Sequence, residues 1–204
     1  MDTSDGRKHA TWVVRNREPI LAVLQRVLPP RGRVLELACG TGEHAAFFAP
    51  HLPGRTWLPT EVDDASLTSA RAWRKHANVD NVLEPMALNV LDDIWPVDEV
   101  DVVVAMNLIH IAPWPVCEAL MRGAGRVLRE GGLLFLYGPF FRDDISTAPS
   151  NLAFDEDLRR RNPAWGVRDL GQVSNLAREH ALWLREIVPM PSNNLSVVFE
   201  RGRR

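Results

Sequence analysis

The sequence predicts one α/β domain whose sheet is doubly wound, mostly parallel, and finished by a C-terminal antiparallel hairpin strand. Three observations carry that prediction. Short apolar runs alternate with helical patterns, a glycine bend joins the first run to the helix after it, and the last two runs are separated only by Pro191-Ser192-Asn193-Asn194. Strand-helix-strand repeats imply right-handed crossovers and parallel neighbours. A connection as short as the last one permits only an antiparallel pair.

In chain order, Glu18-Pro19 opens an apolar-periodic stretch through Ile20, Leu21, Val23, Leu24, Val27 and Leu28, which Pro29-Pro30 stops. This is the first helix, with proline at its start. Arg33–Ala38 is the first strand, broken by Gly40-Thr41-Gly42 and followed by a helix through Phe47 and Phe48. Strands are predicted at 56–62, 82–89, 100–106 and 133–137, helices at 65–76 and 114–128, and the hairpin at 182–190 and 195–200. Arg142–Asp169 is the one long insertion, with a short helical piece at 154–161. Such segments commonly carry lids and substrate contacts. The whole of 1–204 reads as a single domain, with 1–30 as an N-terminal segment and helix.

Composition narrows the function. A hydrophobic share of 46% and a charged share of 25% are those of an ordinary soluble protein. Net charge is −2, from 24 basic and 26 acidic residues, so no overall positive field draws the chain to nucleic acid or to an anionic membrane. A small-molecule partner fits better. Cys39 and Cys117 belong to no CxxC and to no Cys/His cluster, so no metal site and a reduced, cytoplasmic setting are expected. The first residues lack a signal-peptide layout, and no apolar run approaches the roughly 20 residues that span a bilayer.

Glu36-Leu37-Ala38-Cys39-Gly40-Thr41-Gly42 fits E-x-[small]-x-G-x-G and resembles the first motif of class I S-adenosylmethionine-dependent methyltransferases. Glycines there allow backbone angles closed to other residues and let a ligand approach the main chain. Ala38, Gly40, Thr41 and Gly42 are therefore expected to cradle the cofactor, Thr41 also capping the next helix. Glu36, at the strand's end, is expected to attract the positive methionine portion. The same turn also satisfies the G-x-G-x-x-[GA] dinucleotide pattern. Against a nicotinamide cofactor, the chain has no room for a second nucleotide-binding half. Glu61, with Val62 beside it and Asp63 as alternative, lies about 20 residues on, where a carboxylate accepts from ribose hydroxyls of either cofactor. Asn89 matches the position that faces the adenine amino group, with the Val90 amide donating to the ring. A plain turn asparagine is the equal alternative. Asn107, after the fourth strand, is placed with the cofactor contacts.

Beyond that motif the chain resembles the methyltransferase-like 26 family, long carried as a domain of unknown function. The resemblance rests on Arg15–Ile20, Leu35–His44, Asn107–Trp114, Tyr137–Phe140, Thr147–Asn151, Trp165–Asp169 and Met190–Ser196. It implies a seven-stranded Rossmann-like methyltransferase fold and S-adenosylmethionine, without naming a substrate. Glu61 stands where aspartate is commoner, and Asn89 where aspartate is frequent.

Methyl transfer is an in-line displacement, so much of the catalysis can be alignment. Where the nucleophile carries a proton, a group of moderate pKa must remove it. His110, following the fourth strand, is the first candidate base, against a histidine that merely holds a loop. Tyr137 ends the fifth strand and is the second candidate, against a core tyrosine. Arg15 and Asn16, just before the first helix, are expected near the substrate or cofactor carboxylate, against plain solvated helix-start residues. Asn151, Asn193 and Asn194 are expected to border the cleft, or to stabilise turns. Trp114 and Trp165 are pocket walls or packing. His44 is expected to be structural, and Arg159-Arg160-Arg161 a solvated face with no role toward nucleic acid. The expected function is methyl transfer to a small molecule of secondary metabolism. The alternatives are an NAD(P)-dependent reductase and a non-catalytic interaction module.

Overall fold

Val34, Leu35, Glu36 and Leu37 are buried in succession, as in a central parallel strand covered on both faces. The computed structural model describes residues 5–203. Its strands are β1 (Gly32–Leu37), β2 (Arg55–Glu61), β3 (Met86–Ala87), β4 (Val100–Met106), β5 (Leu128–Gly138), β6 (Phe140–Phe141), β7 (Arg168–Asp169), β8 (Leu182–Met190) and β9 (Asn194–Arg201). Its α-helices are α1 (Thr11–Val27), α2 (Glu43–Phe48), α3 (Asp64–Ala77), α4 (Trp114–Val127), α5 (Pro149–Arg161) and α6 (Leu170–Glu179).

Seven strands form one sheet in the order β3-β2-β1-β4-β5-β9-β8, and β6 and β7 pair apart from it. β1 runs parallel to β2 and β4, and β4 to β5, while β9 is antiparallel to both β5 and β8. The α/β class and the terminal hairpin are as the sequence predicts. The order reverses between β1 and β4, so the crevice at their carboxyl ends is where an open parallel sheet receives a ligand. One core, with Leu35, Val103, Leu136 and Leu120, fills the α4 and α6 side. The other, with Ile20, Leu24, Phe48, Trp57 and Phe135, fills the α1 and α2 side.

Several boundaries differ from the prediction. α1 begins at Thr11, with Pro19 inside it, because Val13, Asn16, Ile20, Leu24 and Val27 bury one continuous helical face. Arg15 and Asn16 therefore lie within the helix, not before it. The expected strand at 82–89 shrinks to Met86–Ala87 plus one bridge from Val82 to Trp57. Pro85 has no N–H to give a ladder. The insertion helix starts at Pro149 rather than near Phe154, proline again suiting a first turn. α6 was not predicted. Among the described residues no helix is long and apolar enough to cross a membrane.

Candidate cofactor cleft at the carboxyl edge of the sheet

Three left-handed residues turn the chain from β1 into α2: Ala38 (φ 52°), Gly40 (φ 57°) and Gly42 (φ 82°). The Cys39 N–H donates to Thr60 O at 2.9 Å and the Gly42 N–H to Cys39 O at 3.1 Å, which pins the bend to β2 and to itself. The two glycines do different work. A Cβ on Gly42 would lie 2.5 Å from Ala70 Cα, so this glycine lets α3 pack against the bend. A Cβ on Gly40 would meet nothing within 4 Å, so the bend has an open side there. Glu61 stands on that side: its Oε2 accepts from the Gly40 N–H at 2.9 Å and its Oε1 from the Val62 N–H at 2.8 Å. An acceptor group thus borders an opening floored by main chain, which fits a hydroxyl-bearing nucleoside placed against the bend. Val62 is exposed beside it.

Glu36 requires correction. It is 1% exposed, and its Oε2 accepts from Trp57 Nε1 at 2.7 Å. Burial, opposed by the Trp57 bond and reinforced by the charge of Glu61, pushes its carboxyl up to about 8. It faces the α1 and α2 core, held by Trp57, and is not the exposed carboxylate expected to meet a cationic methionine tail. Thr41 Oγ1 receives the Glu43 N–H at 3.4 Å, but Gly42 occupies the N-cap and no side chain caps the helix from there. Asn89 is exposed, and its Oδ1 accepts from the Leu91 N–H at 3.0 Å, the turn alternative. Val90 is buried, its carbonyl accepting from Trp95 Nε1 at 3.2 Å.

At the end of β4, Asn107 is also left-handed (φ 58°). Its N–H donates to Tyr137 O at 2.8 Å, and its carbonyl accepts from the His110 N–H at 3.1 Å. The turn delivers His110 beneath Gly138, where a Cβ would run into its Nε2. His110 is fully buried, edge-on to Phe140 at 5.0 Å, and neither ring nitrogen has a partner among the described residues. Burial first, then the charge of Arg168, pushes it down to about 3, so the ring is neutral. That is far below the moderate pKa expected of a base.

Tyr137 is not beside His110. Side chains alternate along β5: Leu136 lies in the α4-side core and Tyr137 in the α1-side core. The Tyr137 hydroxyl bonds to the Asn16 side chain, and burial raises its pKa. Asn16 Oδ1 in turn meets His44 Nε2 at 2.9 Å. His44 is structural, as expected, stacked on Phe48 at 5.1 Å. Arg15 is exposed, and its charge acts on Tyr137.

The insertion closes over the His110 turn. The Gly166 N–H donates to His110 O at 3.0 Å. Arg168 Nε donates to Ile109 O at 2.9 Å, and its Nη2 to Ala112 O at 2.6 Å and Ala164 O at 2.9 Å. Asn151 and Asn193 come together as a clamp: Asn151 Nδ2 donates to Asn193 O at 3.0 Å, and Asn193 Nδ2 to Ser150 Oγ at 2.9 Å. Asn194 Nδ2 turns back to Pro191 O at 3.1 Å. Asn194 thus stabilises its own turn, while Asn151 and Asn193 fasten α5 to the 191–193 segment. Trp114 and Trp165 are half-buried and carry the guanidinium groups of Arg168 and Arg161 at 5.8 and 5.2 Å, which is packing. A groove of about 440 Å³ between α6, β8 and Arg142–Asp144 lies away from the bend and includes none of the predicted residues.

Three residues that sequence reasoning missed shape the site. Trp57 holds Glu36, Arg168 holds the His110 turn, and Glu43 gathers the N-terminal segment. Glu43 is buried and accepts from the Ala10 N–H at 3.2 Å, with His9 at 3.5 Å and Arg17 at 3.7 Å. An acid directly after the glycine bend was the available signal for Glu43.

This strand order, with its open bend, is the Rossmann-like fold of methyltransferases. Mitomycin 7-O-methyltransferase MmcR superposes with a TM-score of 0.80 at 16% identity, covering 94% of this chain and 55% of that one. The S-adenosylmethionine-dependent methyltransferase SibL gives 0.78 at 21% identity, covering 94% and 56%. The chain thus spans little more than half the length of either, and the likeness is one of fold. In sequence it is 26% identical over 175 residues to a phosphatidylethanolamine N-methyltransferase of Cereibacter sphaeroides, covering 85% of this chain and 81% of that protein. The chain belongs to the family described as "Protein of unknown function (DUF938)", which matches residues 7–201.

Proposed function

We propose that this chain is an S-adenosylmethionine-dependent methyltransferase acting on a small molecule. The observation that carries the reading is the open side of the bend at Gly40, bordered by Glu61. Relatedness to a methyltransferase and the shared fold support it. Glu61 would hold the ribose, and the main chain from Ala38 to Gly42 would lie against the adenosyl portion. When bound, the cofactor supplies a methyl group on a sulfonium, already activated for in-line displacement. The protein's task is then alignment and exclusion of water. In this reading His110, neutral and with unpartnered nitrogens, would hold a proton-bearing acceptor that reaches it from the cleft. As a weak base it orients the nucleophile more than it ionises it. The test is isothermal titration with S-adenosylhomocysteine and NAD(P) in parallel, followed by a methyl-acceptor panel that includes phosphatidylethanolamine. Binding of the dinucleotide alone rejects the reading, and tight S-adenosylhomocysteine binding without any methylated product favours an interaction module.

A further inference from the structure

The carbonyls around His110 are held by the insertion. Ile109 O and Ala112 O accept from Arg168, and His110 O accepts from the Gly166 N–H. The third Arg168 bond, to Ala164 O, stays within the insertion. β7, which carries Arg168, pairs with β6, whose Phe140 meets the His110 ring. Arg168 is half-buried, and its bonds described above all go to carbonyls. Asp155, the acid near it, pairs with Arg159 and accepts the Val167 N–H.

From this geometry we infer that Arg168 is a positioning residue, tying the 142–169 insertion to His110 so that the placement of one sets the placement of the other. The inference rests on the role proposed for His110. A guanidinium suits the task because it spreads donors over a fixed fork and keeps its charge when partly buried. Lysine reaches one carbonyl and methionine none. The groups that bear on the His110 ring electrostatically are Arg168 and the Gly166 main chain, and Cys117 of α4 with Asp155 and Arg159 of α5 bear in turn on Arg168.

The experiment compares Arg168→Met and Arg168→Lys with the wild type in the full chain. It reads turnover, S-adenosylhomocysteine affinity and the His110 titration by 15N-histidine NMR. The expected result for Arg168→Met is a fall in turnover on the order of 100-fold, unchanged cofactor affinity, and a His110 that titrates at higher pH. Arg168→Lys should recover part of the turnover. Unchanged turnover in a folded Arg168→Met, or turnover and cofactor affinity lost in equal proportion in both variants, overturns the inference. Should no acceptor be methylated by the wild type, the proposed function fails instead. The His110 titration still decides the coupling: an unmoved resonance in Arg168→Met rejects it, and a raised one supports it.

Discussion

Trp57 Nε1 donates to Glu36 Oε2 at 2.7 Å, joining two side chains of neighbouring strands inside the α1-side core. The carboxyl is pushed up to about 8 from 4.5, chiefly by burial. Above 4.5 the unfolded chain releases this proton while the native one keeps it, so native stability falls as pH rises from about 4.5 to about 8. Glu36→Gln keeps an acceptor for Trp57 and removes the titration. Its melting temperature should exceed that of the wild type at pH 8, with the gap closing toward pH 5. Trp57→Phe should cost about 1–3 kcal/mol by stranding a buried acceptor. Parallel melting curves for Glu36→Gln and wild type across that range would reject the assignment.

Gly40 and Ala38 share a left-handed backbone, at φ 57° and 52°. Gly40→Ala meets no protein atom within 4 Å, yet it places a methyl in the open side of the bend at φ 57°. The expected cost in stability is about 1–2 kcal/mol, with S-adenosylhomocysteine affinity falling about tenfold or more. Ala38→Gly relieves a strained alanine at φ 52° and should be neutral or stabilising by up to about 1 kcal/mol. Titration calorimetry that finds full affinity in Gly40→Ala would remove the bend as the binding surface.

The strand alternation, the terminal hairpin and the glycine bend were legible because each depends on local periodicity or on chain length between elements. Pro19 misled at α1, since a proline is compatible with a helix start and the buried face that extends back to Val13 exists only once α1 meets α2. Glu36 was legible as a motif residue but not as a buried one, because the indole that holds it comes from a different strand. His110 was found at its turn, yet its separation from Tyr137 follows from which face of β5 each side chain takes. Ser196 shows the same limit: its hydroxyl is buried without a partner among the described residues, and nothing in the local sequence marks it.

His44 and His110 should impose a pH dependence opposite to that of Glu36. Each is pushed down to about 3 from 6.5, by burial first and then by Arg17 and Arg168 respectively. Below 6.5 the unfolded chain gains protons that the native chain refuses until about 3. Their contribution is therefore complete above 6.5 and lost as pH falls through that window. The wild-type melting temperature should decline from pH 6.5 to 4, and His44→Gln with His110→Gln should flatten the decline. An equally steep acid limb in the double variant would contradict both assignments. His110→Ala should also lower turnover greatly while leaving cofactor affinity nearly unchanged.

Asn16 links α1 to the sheet through Tyr137 and to α2 through His44. Contacts to Glu43 fasten the same stretch: the Ala10 N–H at 3.2 Å, His9 at 3.5 Å and Arg17 at 3.7 Å. α1 thus lies against the helix that leaves the bend, held by polar contacts where a purely apolar helix would rely on burial alone. Asn16→Ala deprives Tyr137 and His44 of a partner at once, and each buried polar group left bare costs about 1–3 kcal/mol. The expected signature is local as well as global. Hydrogen exchange should quicken over residues 11–18 more than over α4, and S-adenosylhomocysteine should dissociate faster because α1 packs against the helix that leaves the bend. A lowered melting temperature with uniform exchange across both helices would make Asn16 a packing residue and no fastening for α1.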